Sequence, residues 1–253
     1  WGGIIINGKA PISGDKEDKS NTALAEINNK YPYGGNNAAD NSGVMTYVSI
    51  CYAGARSTQD IEHNGLTLNG VGNGTTIENI YVLESADDAI EFFGGTVNVK
   101  NLLAVNPDDD MFDFTQGYCG TLSNCYGIWE SDYTSTEADP RGIEADGNFD
   151  GLYPNHLRQS DFVVDGMTIV NNAANTTDNV DRMQDVIKIR RGAKATIKNA
   201  LVKGTGGAID LVDMNDGKGA GNAASTISIT NSLQLTGKKL NGEAVLNEAG
   251  SNT

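Results

Sequence analysis

The sequence predicts an all-β solenoid, in which short strands stack as successive turns of one coil. An apolar–acid–apolar triplet recurs at residues 90–92 and 112–114, with Glu91 and Asp113 at its centres. Apolar-x-Asn triplets at residues 77–79 and 99–101 precede them at a constant spacing. Helix signals are nearly absent, because apolar residues alternate with period two in short runs broken by Gly, Asn and Asp. A fixed period of about 22 residues, built from alternating strands, is typical of a solenoid.

Each turn of the coil is expected to hold three strands within about 22 residues. In the best-defined turn, the first strand covers residues 90–92, the second 97–99 and the third 102–105. Since side chains alternate across a strand, Glu91 points out of the coil and its apolar neighbours point in. A tight bend at Asn101 joins the second strand to the third.

Two columns of equivalent residues follow from this alignment. Asparagine tolerates left-handed backbone at a tight bend, and stacked amides can hydrogen-bond into a ladder. The alternative is that these are ordinary surface-turn asparagines. The outward column of the first strands runs Ile5, Thr67, Glu91, Asp113, Glu144, Lys188 and Asp210. The column at the second bend runs Tyr47, Asn79, Asn101, Asn124, Asn171, Asn199 and Asn231.

Three segments leave this rhythm, at residues 9–43, 148–162 and 212–225. They are rich in Asn, Asp, Gly and Ala and are predicted to be long loops extruded from the turns, where functional sites often lie. Residues 1–253 are expected to form a single solenoid domain, and a longer chain is expected because Trp1 opens directly into a predicted strand.

The charge balance argues against some partners. A net charge of −15 and an isoelectric point of about 4.4 disfavour nucleic acid, whose binding depends on Lys and Arg neutralising phosphates. The same balance fits a secreted protein that meets divalent cations, although an acidic surface also serves solubility alone. No stretch approaches the roughly 20 apolar residues that span a bilayer.

Cysteine usage fits an extracellular location. Cys119 and Cys125 flank the bend at Asn124 and are expected to form a disulfide if their Cβ atoms face each other. Cys51 is then left over and is expected to be a small buried hydrophobic residue.

The repeat resembles the right-handed, single-stranded parallel β-helix of pectate-lyase-type proteins. The resemblance rests on three strands in each turn of the coil and on the asparagine column at the second bend. Residues 70–77 and 86–97 also resemble the β-helical domains of uncharacterised bacterial surface or secreted proteins. The resemblance implies the fold strongly and the function weakly, since one fold hosts many functions.

The resemblance implies that this face carries calcium-binding carboxylates and a polysaccharide groove, at Asp88, Glu91, Asp110, Asp113 and Glu144. Independently of the resemblance, carboxylates stacked this closely repel one another, so some are protonated or a cation binds. The alternative is that the aspartates cap turns. If the chain is a uronide lyase, the resemblance implies a proton-abstracting base among Arg141, Lys188 and Arg190.

Two further patterns suggest ligand sites. Asp146, Asn148 and Asp150 have the D-x-N-x-D-G spacing of a calcium loop, but the glutamate position of an EF-hand is Leu157; the alternative is an Asx-rich turn. Exposed aromatic rings stack on the apolar faces of sugars, or else pack a loop onto the coil. The aromatic residues concerned are Trp129, Tyr133, Phe149 and Tyr153. Phe149 is expected to pack its loop, and the candidates for sugar stacking are Trp129 and Tyr133.

Two hypotheses follow for function. The first is an extracellular or cell-surface module that presents an acidic, calcium-loaded face to a polysaccharide or cell-surface glycan, for adhesion or structural assembly. The alternative is a calcium-dependent polyuronide lyase or glycoside hydrolase that uses the same face. The unpaired edges of the first strands also predict head-to-tail self-association.

Overall fold

The computed structural model describes residues 1–16, 20–55, 63–173, 183–214 and 224–234, and it confirms the parallel β-helix. One turn of 3-10 helix occurs in the described residues, at Phe149–Gly151. The strands are β1 Ile4–Asn7, β2 Thr22–Ala25, β3 Asn28–Gly34, β4 Val44–Cys51, β5 Leu66–Asn69, β6 Thr76–Leu83, β7 Ile90–Phe93, β8 Val99–Val105, β9 Phe112–Thr115, β10 Thr121–Trp129, β11 Ile143–Asp146, β12 Asp161–Asn171, β13 Met183–Arg190, β14 Lys194–Lys198, β15 Leu201–Lys203, β16 Ala208–Asp213, β17 Thr226–Thr230 and β18 Leu233–Gln234.

Two parallel sheets form the walls of the coil. The first, here called sheet A, has seven strands in the order β1-β5-β7-β9-β11-β13-β16. The second, sheet B, has nine strands, with β17-β14-β12-β10-β8-β6-β4 as its main path and β15 and β18 beside it. Strands neighbouring in space are separated in sequence by a full turn of the coil, which is the topology of a solenoid. Strands β2 and β3 form a separate antiparallel hairpin.

The predicted second and third strands are mostly one continuous strand of sheet B that bends at a left-handed residue. Asn79, Asn101 and Asn124 have φ of 57°, 56° and 52° at this bend. Asn101 donates from Nδ2 to Oδ1 of Asn79 over 2.8 Å, and Asn124 donates to Asn101 over 2.6 Å. Tyr47 lies at the same bend in the earliest strand, with φ of 57°.

The placement of Asn171 in this column is wrong. Asn124 aligns with Gly166, whose φ is 76°, while Asn171 pairs with Trp129 at the end of the strand. Glycine adopts the left-handed backbone without a side chain, so the bend is kept although the amide is missing. Asn199 instead donates to Oδ1 of Asp165, the residue beside the glycine.

The placement of Asp210 is also wrong. Asp210 pairs with Asp185, and Asp213 takes the position beside Lys188. Lys188 and Asp213 are 25 residues apart, so this turn is longer than the earlier spacing suggested. The rest of the outward column is as predicted, since Thr67, Glu91, Asp113, Glu144 and Lys188 are register partners in sheet A.

The interior of the coil is filled by apolar side chains from both sheets. Phe92, Phe114 and Phe162 stack, with ring centroids 5.0 Å apart for the first pair and 4.2 Å for the second. Tyr118 packs against them and donates its hydroxyl proton to the carbonyl of Val97. Burial of a large apolar side chain contributes roughly 1.5–3 kcal/mol, so this aromatic stack stabilises the packing of successive turns.

The insertion at residues 9–43 is only partly a loop. After β1 the chain follows the turns at the ends of the sheet A strands, where Ala10 donates to the carbonyl of Gly70 and Ser13 to that of Gln116. It then forms the β2–β3 hairpin, which the repeat did not predict. The 148–162 insertion holds the 3-10 turn and ends in β12. The 212–225 segment begins inside β16, and its residues 215–223 lie outside the described residues.

The predicted disulfide is wrong, because all three cysteines are free thiols. Cys125 lies inside the coil as part of the core, and its burial raises its pKa to about 12. Cys119 lies outside the strand, where its thiol donates to backbone carbonyls of Gly117 and Gln159.

Candidate functional site

The outer face of sheet A carries two rows of side chains. Strands β7, β9 and β11 each place one acid in the first row: Glu91, Asp113 and Glu144. The second row lies two residues further along the same strands and runs Asn69, Phe93, Thr115, Asp146 and Arg190. A cavity of about 360 Å³ lies over these rows.

The acidic half of the site lies over β7 and β9. Asp88 and Asp110, which precede these strands, are only 5% and 3% exposed. The backbone N–H of Asp110 donates to Oδ1 of Asp88 over 2.9 Å. Carboxylate oxygens of Asp88, Glu91 and Asp113 lie within 4.8 Å of one another, as do those of Asp110, Asp113 and Glu144. The stacking of turns thus gathers acids that the sequence separates.

Burial raises the pKa of each of these carboxyls. Desolvation raises the pKa of Asp88 well above its usual value, and Asp87, Asp113, Asp110 and Glu91 raise it further. Burial and the charges of these neighbouring acids therefore both favour the protonated form of Asp88.

Glu91 and Asp113 follow the same pattern as Asp88. Burial and then the charge of Asp113 raise the pKa of Glu91. Asn64 opposes this shift by donating a hydrogen bond of 2.6 Å to Glu91. Burial and then Glu144 raise the pKa of Asp113, which Arg190 opposes.

The chemistry of the acidic half fits a hard divalent cation. Oδ1 of Asp110 and Oδ1 of Asp113 are buried and have no hydrogen-bond partner among the described residues. Calcium prefers carboxylate oxygens, and a bound cation would offset the repulsion between them. The residues present would hold such an ion either through Asp88, Glu91 and Asp113 or through Asp110, Asp113 and Glu144.

In the basic half of the site, the arginines Arg141 and Arg190 form ion pairs with neighbouring acids. Arg141 contacts Glu144 over 2.5 Å, Asp139 over 2.7 Å and Asp185 over 3.2 Å. Arg190 pairs with Glu144. Burial works to lower the pKa of both arginines, but the carboxylates outweigh it and the pKa of each lies above its usual value. Neither guanidinium is poised to lose a proton.

The predicted calcium loop holds arginines. Asp146 contacts Nε of Arg190 over 2.7 Å and Nη1 of Arg191 over 2.6 Å. Arg191 also contacts Asp150 over 2.6 Å. The side-chain oxygen of Asn148 accepts from the backbone N–H of Tyr153. A cation among these oxygens would have to displace guanidinium groups, so the acidic half is the better candidate for a metal.

The remaining basic candidate and Asp210 lie beyond the cavity. Lys188 follows Glu144 in the first row and forms an ion pair with Asp213. Asp185, Asp210 and Asp213 form another group with carboxylate oxygens within 4.8 Å of one another. Burial raises the pKa of Asp185 to about 6, although Arg141 opposes the shift.

The predicted aromatic platform is wrong. Trp129 is 0% exposed and donates from Nε1 to the carbonyl of Pro107, because its strand points it into the coil. Tyr133 packs against this ring and donates to Oδ1 of Asp108, away from the cavity.

Other aromatic residues line the cavity, and none of them was among the predicted site residues. Phe93 lies in the second row, Tyr33 comes from the β2–β3 hairpin, and Phe149 comes from the 3-10 turn. The alternation of small apolar residues in Thr22–Ala25 was the available signal for a strand here, but the repeat gave no reason to place it on sheet A.

Comparison with known proteins identifies a family. The family described as Pectate-lyase like beta helix domain matches residues 1–251. No significant match was found among curated proteins or among solved structures. Among the described residues, no helix is long and apolar enough to cross a membrane.

Proposed function

Because the chain belongs to the pectate-lyase-like β-helix family, we propose that it is an extracellular carbohydrate-binding module that holds its glycan through a divalent cation, Ca²⁺. The observation that supports this most strongly is a pair of buried oxygens, on Asp110 and Asp113, that have no hydrogen-bond partner among the described residues; Asp113 also lines the cavity. Family membership supports a carbohydrate-related role, and the cation and the binding role are the proposal.

The cation would supply the positive charge that the acidic half lacks. The charged groups that act on Asp88 and Glu91 are other carboxylates, whereas the charge of Glu144 is compensated by Arg141 and Arg190. A calcium ion also coordinates hydroxyl and carboxylate oxygens of a sugar. Extracellular calcium modules bind the ion with Kd values of about 10⁻⁴–10⁻³ M, so weak affinity is sufficient outside the cell.

The aromatic lining supports a sugar as the ligand. Phe149 presents half-buried ring surface to the same cavity as Glu91 and Asp113, and the largely buried rings of Phe93 and Tyr33 lie in the same wall. Sugars have apolar faces that pack on rings and hydroxyls that hydrogen-bond to carboxylates, and ligand pockets combine these two kinds of wall.

A lyase is less well supported than a binding module. A uronide lyase needs an unprotonated base that takes the α-proton of the sugar, and the guanidinium groups of Arg141 and Arg190 are held protonated by carboxylates. Lys188 is paired with Asp213.

A glycoside hydrolase is the second candidate. A carboxyl with a raised pKa can act as general acid, and the pKa of Glu91 and that of Asp113 are both raised at the cavity.

Calcium titration tests the cation. We expect CaCl₂ at about 100 times Kd to stabilise the fold by about 2.7 kcal/mol, or roughly 5–10 °C in melting temperature, relative to EDTA. The variants Asp110→Asn and Asp113→Asn should lose this gain, because each removes a ligand oxygen charge. The exposed Asp161→Asn is the matched control and should retain it. An unchanged melting temperature in wild type would contradict the cation.

A glycan array with and without CaCl₂ tests the ligand. Calcium-dependent retention of an acidic glycan supports the module. Incubation with polygalacturonate or alginate, followed by ultraviolet absorbance and by reducing-end assay, distinguishes unsaturated lyase products from hydrolysis products. Product formation that is lost in Glu91→Gln would favour the enzyme over the module.

We also propose head-to-tail self-association. Val44 and Tyr47 on the terminal strand β4 are 75% and 84% exposed. Among the described residues, β4 is paired in its sheet with β6 alone, and its other backbone edge carries no strand, although Trp1 donates from Nε1 to the carbonyl of Cys51 at the end of β4.

A further inference from the structure

We infer that the cavity takes the end of a glycan chain and excludes its interior, because two insertions close what would otherwise be an open groove along sheet A. The inference rests on the proposed carbohydrate-binding function. Its observations are the dimensions of the cavity and the contacts that fix its walls.

The β2–β3 hairpin closes the groove over the first turns. Its tip, at residues 25–27, lies against Thr67 and Asn64 beside the first strands of sheet A. The space left between them is about 10 Å³, which is close to the room that one water molecule needs. The hairpin tip therefore stands in the path that a sugar chain would follow from the cavity across β5 and β1.

The hairpin is held as a wall. Tyr33, Ala23 and Ala25 are buried in a small core with Ile12 and Phe93. The hydroxyl of Tyr33 donates to Oε1 of Gln116 over 2.7 Å, where both residues are buried. A buried hydrogen bond is costly to leave unmade, so opening the hairpin to admit a polymer is disfavoured.

The 148–162 insertion forms the adjoining wall. Phe149 and Asp150 line the cavity, and Arg191 holds Asp150 over 2.6 Å. Further along, Arg158 donates to the carbonyl of Gly117 over 2.6 Å and to that of Gly95 over 3.0 Å. The insertion is thereby fastened along the turns that end β7 and β9.

The two insertions also contact each other. His156 donates from Nε2 to the carbonyl of Ser20 over 2.7 Å, and its Nδ1 accepts from the backbone N–H of Arg158. Arg190 and Arg191 complete the lining at the end of the cavity that is remote from the hairpin. The walls thus come from three separate parts of the chain.

The size of the cavity agrees with these walls. About 360 Å³ lies near the lower limit of ligand pockets, which span roughly 300–1,000 Å³. That volume accommodates roughly one or two sugar units, and a polymer would need an exit at both ends.

Chain-end recognition can be tested on the intact protein. Polygalacturonate and alginate would each be cut by partial acid hydrolysis, which multiplies chain ends at constant mass of sugar. Isothermal titration in CaCl₂ should show binding sites per mass of polymer rising in proportion to the number of ends. Short oligomers should bind as tightly as long ones.

The outcomes separate the inference from the proposed function. Chain-end recognition alone is overturned if affinity increases with chain length while the number of binding sites per mass of polymer does not change on cutting. No binding to any oligomer or polymer overturns the proposed function and this inference with it.

A variant that replaces residues 23–33 with a Gly-Ser linker should gain binding to uncut polymer if it melts cooperatively. Lys30→Ala, at an exposed position of β3 outside the cavity lining, is its control and should retain end-dependence. A folded linker variant that still binds only ends would overturn the role of the hairpin.

Discussion

At the scale of single residues, neighbouring acids of one row differ because of what lies beside them. Glu144 receives Arg141 and Arg190, whereas Glu91, two strands away in the same register, receives an amide from Asn64 and faces other acids. The first is an ion-paired structural group and the second a group that gains from a proton or a cation. Position on the sheet alone does not assign a role.

The buried acids should make stability fall as pH rises in the absence of calcium. A carboxyl whose pKa is raised in the folded state binds its proton more tightly there than in the unfolded chain. The stabilisation that such a carboxyl contributes is therefore fully present below the unfolded pKa of about 4, and it is lost as pH rises through the raised folded pKa. For Asp110 the folded pKa is raised by burial and then by Asp109 and Glu144.

The variant Asp110→Asn should remove one component of this dependence. In EDTA at pH 7 we expect it to be more stable than wild type, by about 1.4 kcal/mol for each unit by which the pKa is raised. Denaturant unfolding across pH 4–8 measures the difference, with the exposed Asp161→Asn as control. A variant that is less stable than wild type throughout this range would show that the Asp110 carboxylate is stabilising in the folded chain without metal.

The sequence predicted which acids stack but not which partners they have. Alternation in a strand is enough to point Glu91 and Asp113 outward. The direction of Trp129 followed from the same alternation, and the error came from taking its ring as exposed when it closes β10. The pairing of Arg191 with Asp146 and Asp150 depends on a contact between two loops, which no local pattern encodes.

At the scale of elements, the bend in sheet B depends on backbone conformation more than on the amide. Gly166 keeps the left-handed bend in β12 without a side chain, and a Cβ there would meet nothing closer than 3.6 Å, at the backbone N of Asn124. The turn therefore tolerates glycine at the cost of one ladder hydrogen bond.

Restoring the amide should stabilise the coil. We expect Gly166→Asn to raise the free energy of unfolding by about 0.5–1 kcal/mol, since asparagine tolerates positive φ and can bond with Asn124. Gly166→Ala is the control; it lacks the amide and should cost about 1–2 kcal/mol in a left-handed conformation. Equal destabilisation by both variants, measured by denaturant unfolding, would show that the amide contributes nothing at this position.

Insertions limited what the sequence could predict about elements. Where a turn kept its length, as between Glu91 and Asp113, the register followed from the spacing. Where a turn is longer, the spacing led to a wrong register. The sequence Ile209-Asp210-Leu211 resembles the earlier apolar–acid–apolar triplets, but Asp213, not Asp210, pairs with Lys188 in the outward column. The hairpin has no counterpart in the other described turns, so periodicity could not place it.

At the scale of the whole molecule, stacking satisfies each described turn with its neighbours and leaves an edge strand at either end of the part that the structure describes. One end presents β4, with Val44 and Tyr47 exposed. The last paired turn of the described residues presents β17, where Ile229 is exposed. β4 and β17 are the opposite edge strands of the one parallel sheet B, so a second copy could continue the stack.

Stacking of copies is expected to depend on the exposed strand at the β4 end. Combining Val44→Lys with Tyr47→Lys should abolish concentration-dependent association, because charges on an edge strand oppose pairing with another chain. Tyr47 occupies the same bend as the asparagines, so in a stack it would lie next to Asn231 of the adjoining copy.

Sedimentation velocity over a range of concentrations, with electron microscopy of the same samples, measures the loss of association. Leu103→Lys, at an exposed position on the central strand β8, is the matched control and should associate like wild type. Wild type that stays monomeric at every concentration, or a control that dissociates equally, would show that copies of the coil do not join through this end.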